Sequence, residues 1–135
     1  MGVGLMLLMD THVWFWTLTE PNRLSKTAYD LIKNTVVDER AIASISIWEF
    51  AMMAQRGRIK MKMTAEQWLD YAINKTGIQV LELSPKVAVE SCQLPGDFHA
   101  DPADRIIVAT ARINGATLVT KDQKILDYPY VNSAW

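Results

Sequence analysis

The chain has 135 residues, of which half are apolar and 21% are charged, and its net charge is -1. That length carries a buried core in one soluble domain, and the charge excludes a global basic field for nucleic acid, though a local patch still suits an enzyme acting on RNA. A single cysteine, Cys92, excludes an intrachain disulfide framework and a cysteine-based zinc site, and it suits a reducing cytoplasm.

Residues 4–9 form a continuous apolar run, read as a strand buried on both faces. The run is too short to cross a bilayer, and it lacks the charged leader and cleavage site of a signal peptide. Met6 offers an alternative natural start. Residues 11–18 are expected to be helical until Pro21 and Asn22 break them. Ser25 can cap a helix to about residue 35, with Ala28, Leu31, Ile32 and Thr35 along one face. A second strand is predicted over 40–45, then a helix from Ser46 through Gln55 that Gly57 ends. Thr64 and Gln67 make a capping-box pattern for a helix to about Asn74 or Lys75, stopped by Gly77.

A third strand is expected over 78–83. Ser84-Pro85 then starts a helix to about Gln93, and Pro95-Gly96 marks a loop. Asp101-Pro102 opens a helix over 103–114 that Gly115 ends, followed by a strand over 117–120 and a short helix over 123–127. Strands alternating with helices predict a parallel α/β sheet covered on both faces. In such sheets ligands bind beyond the carboxyl ends of the strands, where the strand order reverses.

Four acidic residues stand where a strand or loop hands over to a helix: Asp10, Glu49, Asp104 and Asp122. Each has a structural explanation when taken alone. Asp10 and Asp122 suit N-caps, Glu49 could close a capping box with Ser46, and Asp104 follows the N-cap Asp101 and complements the helix dipole. Together they would lie on one rim. Gathered carboxylates repel one another and push their pKa values up unless a cation sits between them, and an oxygen-only donor set fits a hard divalent ion and phosphodiester chemistry.

His12 and His99 are the only histidines, too few for a zinc case, and His12 reads as a helix-start residue or a support for a ligand. No glycine-rich phosphate loop or nucleophile elbow is present. Ser44 and Ser46 have no histidine to act as their base. Residues 56–62 carry Arg56, Arg58, Lys60 and Lys62, a run that is usually a solvated loop but could touch a polyanion or a partner. Trp14, Phe15, Trp16 and Trp48 exceed what one small core ordinarily needs, so an exposed remainder would mark a protein interface.

The segments MDTHVWFW, SISIWEF and HADPADRIIVATARINGATLVTKD, in this order and spacing, resemble PIN-domain proteins, and among them the VapC-like toxins of bacterial toxin–antitoxin pairs. The likeness runs over residues 7–128 and is weakest over 58–75. It implies a three-layer α/β/α sandwich with a short parallel sheet, forming a single PIN-like nuclease domain over 1–135. It implies a Mg²⁺- or Mn²⁺-dependent ribonuclease, a cytoplasmic homodimer inhibited by a cognate antitoxin, and no membrane association. The family's acidic positions map onto Asp10, Glu49, Asp104 and Asp122, as catalytic residues and metal ligands, with Asp101 ranked below them. The resemblance also makes Thr120 a supporting residue near the metal, and Arg105, Lys121 and Lys124 flank the rim as candidate phosphate contacts. Two alternatives stay open: a PIN-like RNA-processing or structure-specific nuclease outside toxin–antitoxin systems, and a PIN-fold binding module without turnover.

Overall fold

The computed structural model describes residues 6–135 and contains one all-parallel sheet of five short strands. These are β1 (Leu7–Met9), β2 (Arg40–Ala43), β3 (Gln79–Leu81), β4 (Thr117–Val119) and β5 (Ser133–Ala134), in the order β3-β2-β1-β4-β5. The helices are α1 (Thr11–Thr19), α2 (Lys26–Asn34), α3 (Ile45–Gln55), α4 (Ala65–Leu69), α5 (Pro85–Cys92), α6 (Pro102–Asn114) and α7 (Gln123–Leu126). The expected first strand is seen as Leu7–Met9, and residues 4 and 5 of it lie outside the described residues.

Side chains on a strand alternate between faces, and here the alternation builds two cores. Leu8, Ala41, Ala43 and Leu118 pack with Val87 of α5, Ile107 and Val108 of α6 and Ile125 of α7. Leu7, Met9, Ile42 and Val119 pack with α1, α2, Phe50 of α3 and Trp68 of α4. The result is the three-layer α/β/α arrangement. Strands buried on both faces explain why β1 is apolar without alternation.

Helix α1 is apolar nearly all round because it is covered nearly all round. Trp14 and Phe15 join Phe50 and Trp68 in an aromatic cluster whose centroids lie between 4.2 and 6.1 Å apart. Each such ring taken out of water contributes roughly 1.5–3 kcal/mol, so this cluster pins the layer that carries α1 and α3.

Most helix ends fall where the cap residues put them. Ser25 accepts from the Ala28 N–H at 3.0 Å, Ser84 from the Val87 N–H at 3.2 Å, and the Thr64–Gln67 capping box is complete. Gly115 stops α6 in the left-handed region, φ 62°, which lets the Ala116 N–H reach the Ala111 carbonyl at 2.9 Å. Several features differ from the sequence expectation, with β2 stopping at Ala43 because α3 already starts at Ile45, and β3 confined to Gln79–Leu81. The helix begun at Ala65 slackens into a π-helical stretch over Asp70–Lys75. Strand β5 has no alternating apolar signal of its own, since it is two residues long and exists through its pairing with β4.

Candidate active site

The chain passes from β1 to β2 and β3 on one side, then returns to β4 on the other side of β1. The strand order therefore reverses at β1, and the carboxyl ends of β1 and β4 meet there: the Asp10 N–H donates to the Val119 carbonyl at 3.0 Å. Asp10 caps α1 through Oδ1, which accepts from the Thr11 N–H at 2.8 Å, and its Oδ2 accepts from the buried Thr120 hydroxyl at 2.7 Å. The Thr120 Oγ1 in turn accepts from the Asp122 N–H at 3.0 Å, while its own N–H donates to Ala134 of β5 at 3.1 Å. The last strand thus holds Thr120, and Thr120 holds Asp10.

Asp122 caps α7, with Oδ1 accepting from the Lys124 N–H at 2.8 Å, and Asp101 caps α6, with Oδ1 accepting from the Asp104 N–H at 3.0 Å. The capping roles are real, and they turn these helix starts toward the same crevice. Glu49 does not close a capping box with Ser46. Helix α3 begins a residue earlier, at Ile45, and Ser44 occupies the cap position without a capping bond. Glu49 Oε1 accepts instead from the Thr11 hydroxyl at 2.6 Å, and that hydroxyl also lies 2.8 Å from the fully buried Ser46 Oγ. A hydroxyl has one proton. If Thr11 gives it to the carboxylate, Ser46 donates to the Thr11 oxygen, and the three side chains form a short relay ending on Glu49.

Asp10, Glu49, Asp101, Asp104 and Asp122 line one cleft of about 570 Å³, together with Thr11, His12 and Lys121, and with Trp16 and Met53 as apolar wall. Lys121 Nζ stands 5.9 Å from the Trp16 ring centre. Thr120 lies beneath the cleft, fully buried. His12 is exposed beside it, and His99 is exposed. Arg105, expected at a phosphate, is engaged otherwise: Nε donates to the Ser91 carbonyl at 2.9 Å and a terminal nitrogen to the Phe98 carbonyl at 2.7 Å. These bonds make it a strap between α6 and the chain leaving α5. Lys124 is exposed on α7 and is absent from the cleft wall.

The electrostatics show the strain of grouped carboxylates. Asp104 receives no hydrogen bond from the described residues, and its pKa is pushed up to about 7, first by desolvation and then by Asp101, Asp10, Asp122 and Glu49. Burial also raises Asp10, against the lowering effect of the Thr120 and Thr11 bonds. Burial raises Glu49, opposed by the Thr11 hydroxyl. Partly buried, grouped carboxylates behave this way where positive charge is lacking.

The donor chemistry fits a hard divalent cation, with all-oxygen ligands and net negative charge. Among the described residues, no three His, Cys, Asp or Glu side chains are grouped closely enough to hold a metal ion as they stand. The carboxylates share the lining of one cleft. Two contributors escaped the sequence reading, Thr11 and Ser46. The only sequence signal is that Thr11 follows the first acidic residue, and a bond across 38 positions to Glu49 has no local signature.

The model of the PIN domain matches residues 7–129. Ribonuclease VapC22 from Mycobacterium tuberculosis is 39% identical over 119 residues, which cover 88% of either chain. VapBC2 from Rickettsia felis bound to a promoter DNA fragment is similar in structure, with a TM-score of 0.70 at 18% identity over 97% of this chain and 99% of that one. DNA-bound VapBC from Salmonella typhimurium gives 0.68 at 19% identity over 96% of this chain and 97% of that one. At such identities the structural likeness speaks for the fold alone. With the family model covering nearly the whole chain and a relative at 39% identity, the chain belongs to the PIN-domain family.

Proposed function

We propose that this protein is a divalent-metal-dependent endoribonuclease that hydrolyses RNA phosphodiester bonds and serves as the toxin of a toxin–antitoxin pair. The observation that carries the reading is the convergence of Asp10, Glu49, Asp104 and Asp122, from four separate segments, on one cleft at the switch point of the sheet. The relationship to a protein named as a VapC ribonuclease supports the substrate class. A cognate antitoxin would restrain the enzyme in the cytoplasm, and the VapBC complexes among the structural neighbours are consistent with that partner. Among the described residues no helix is long and apolar enough to cross a membrane. Trp48 on α3 is 55% exposed, an apolar anchor for pairing of two copies.

Asp10, Glu49, Asp104 and Asp122 would hold Mg²⁺ or Mn²⁺, with Asp101 beside them. Such an ion, when bound, supplies Lewis acidity toward phosphate oxygens and lowers the pKa of water. The protein's part is orientation. Thr120 and the Thr11 N–H fix both oxygens of Asp10. The Thr11 hydroxyl aims Glu49. Asp104, with its pKa pushed up to about 7, is partly protonated near neutrality and would ionise fully beside a bound cation. Lys121, exposed on the cleft wall, would contact the phosphate.

The test is cleavage of labelled single-stranded RNA with Mg²⁺, with Mn²⁺ and with chelator, by the wild type and by Asp10→Asn and Asp104→Asn. Cleavage that needs metal and both carboxylates is expected. Metal-independent cleavage, or full activity in either variant, would refute the assignment. Growth arrest on expression of the wild type and not of the variants would establish toxicity. Cleavage without toxicity would favour an RNA-processing nuclease, and metal binding without cleavage of any RNA would favour a binding module.

A further inference from the structure

The carboxylate cleft does not end at Met53. A second hollow of about 550 Å³ shares His12, Trp16 and Met53 with it and continues toward Arg23, Arg58 and Lys60. The local fold makes this hollow basic. Gly57, at φ 68°, turns the chain at the end of α3, and the Arg58 N–H folds back onto the Met53 carbonyl at 2.9 Å. The irregular run that follows alternates in burial. Ile59 and Met61 pack against the aromatic core, while Arg58, Lys60 and Lys62 are exposed. The apolar residues therefore anchor the segment and leave Arg58 and Lys60 lining the hollow.

Arg23 has a carboxylate partner, Glu20 at 3.4 Å. Arg58 and Lys60 have none within ion-pair distance among the described residues. One continuous groove thus carries acid at one end and unpaired positive charge at the other.

We infer that this basic hollow holds the backbone of single-stranded RNA beside the scissile bond, with Arg58 and Lys60 contacting phosphates. The inference rests on the proposed ribonuclease activity. The carboxylate end repels a polyanion except where a cation bridges it, so the attraction that draws RNA in must come from elsewhere on the path. The net charge of -1 supplies no global field for this. A groove whose cations follow the backbone binds without reading bases, so this subsite contributes affinity rather than sequence choice.

Counterion release makes the role measurable, because each single-strand phosphate contact contributes about 0.7 to the slope of log affinity against log salt. The experiment is a salt titration of a fluorescent RNA oligonucleotide, by anisotropy, on the full chain carrying Asp104→Asn to block cleavage, with and without Arg58→Ala/Lys60→Ala. Steady-state cleavage by the same pair of proteins with Asp104 intact runs beside it. Loss of two contacts should flatten the slope by about 1.4 and weaken binding about 25-fold at 0.1 M salt relative to 1 M. KM should rise with kcat retained. Arg58→Lys/Lys60→Arg should restore binding, and the distant pair Lys75→Ala/Lys86→Ala should leave the slope alone.

An unchanged slope and KM in Arg58→Ala/Lys60→Ala would overturn the inference while leaving the ribonuclease reading in place. Unchanged RNA binding with lost capture of an acidic protein partner would overturn it in favour of a protein dock. A wild type that neither binds nor cleaves RNA would remove both readings.

Discussion

Thr11→Val removes one hydroxyl and nearly preserves shape, so it isolates the relay to Glu49. Two bonds disappear, at 2.6 Å to the Glu49 carboxylate and at 2.8 Å to Ser46. Ser46 is fully buried, and Thr11 is its only side-chain partner among the described residues, so its hydroxyl is left unsatisfied at a cost of roughly 1–3 kcal/mol. Glu49 is only half-buried and can turn to water, which keeps its share near the lower end of the roughly 1.5–3 kcal/mol typical of bonds to charged groups. The expected loss of stability is about 2–3 kcal/mol, less than a simple sum because valine adds apolar contact, and the protein stays folded at assay temperature. A Glu49 released from its aim should lower kcat/KM by roughly ten- to a hundredfold, about 1.4–2.8 kcal/mol. Urea unfolding and RNA cleavage with Mg²⁺ measure the two effects. Thr11→Ser keeps the hydroxyl and should recover most of the activity. Ser46→Ala leaves the Thr11 proton on Glu49 and should change kcat/KM only a few-fold. Full activity in Thr11→Val, or a Thr11→Ser as impaired as the valine variant, would refute the relay and leave only packing of the side chain.

Without metal, Asp104 should make the protein less stable as pH rises. Its pKa is about 7 when folded and near 3.8 when unfolded, so between those values the folded state binds more protons, and stability falls across pH 4–7. Asp104→Asn should flatten that decline and raise the urea midpoint at pH 7.5, and a decline of equal depth in the variant would show that Asp104 is not its source. Thr120→Val strips Asp10 of its side-chain donor, so the Asp10 pKa should climb further and Mn²⁺ affinity near pH 7 should fall, as read by calorimetry. Unaltered affinity would mean that Thr120 serves only the core. Gly115→Ala meets no atom within 4 Å, so its effect should be the left-handed backbone alone, about 1 kcal/mol and a Tm lower by a few degrees in a thermal melt. A loss several times larger would point to a contact the geometry does not contain.

The double use of the acidic residues explains why the site was partly visible before any fold was known. Asp10, Asp101 and Asp122 each cap a helix with one oxygen and face the cleft, so a capping position in the sequence already stated a direction. Glu49 is different. Its local pattern with Ser46 suggested a capping box, and its actual partner is Thr11 at the start of α1, the neighbouring helix of the same layer and 38 positions away in sequence.

Chain-local physics decided the elements. Apolar runs without alternation require strands covered on both faces, as β1 is, and the Ser25, Ser84, Thr64 and Gly115 signals ended or began helices at the residues themselves. These depend on a residue and its near neighbours, and so they can be read from order alone. The convergence of the carboxylates, the Ser46–Thr11–Glu49 relay, the diversion of Arg105 to backbone carbonyls and the pairing of β5 under Thr120 depend on which strands lie side by side. Only the order β3-β2-β1-β4-β5 brings positions separated by as many as 110 residues within hydrogen-bond reach, and no local spacing carries that information.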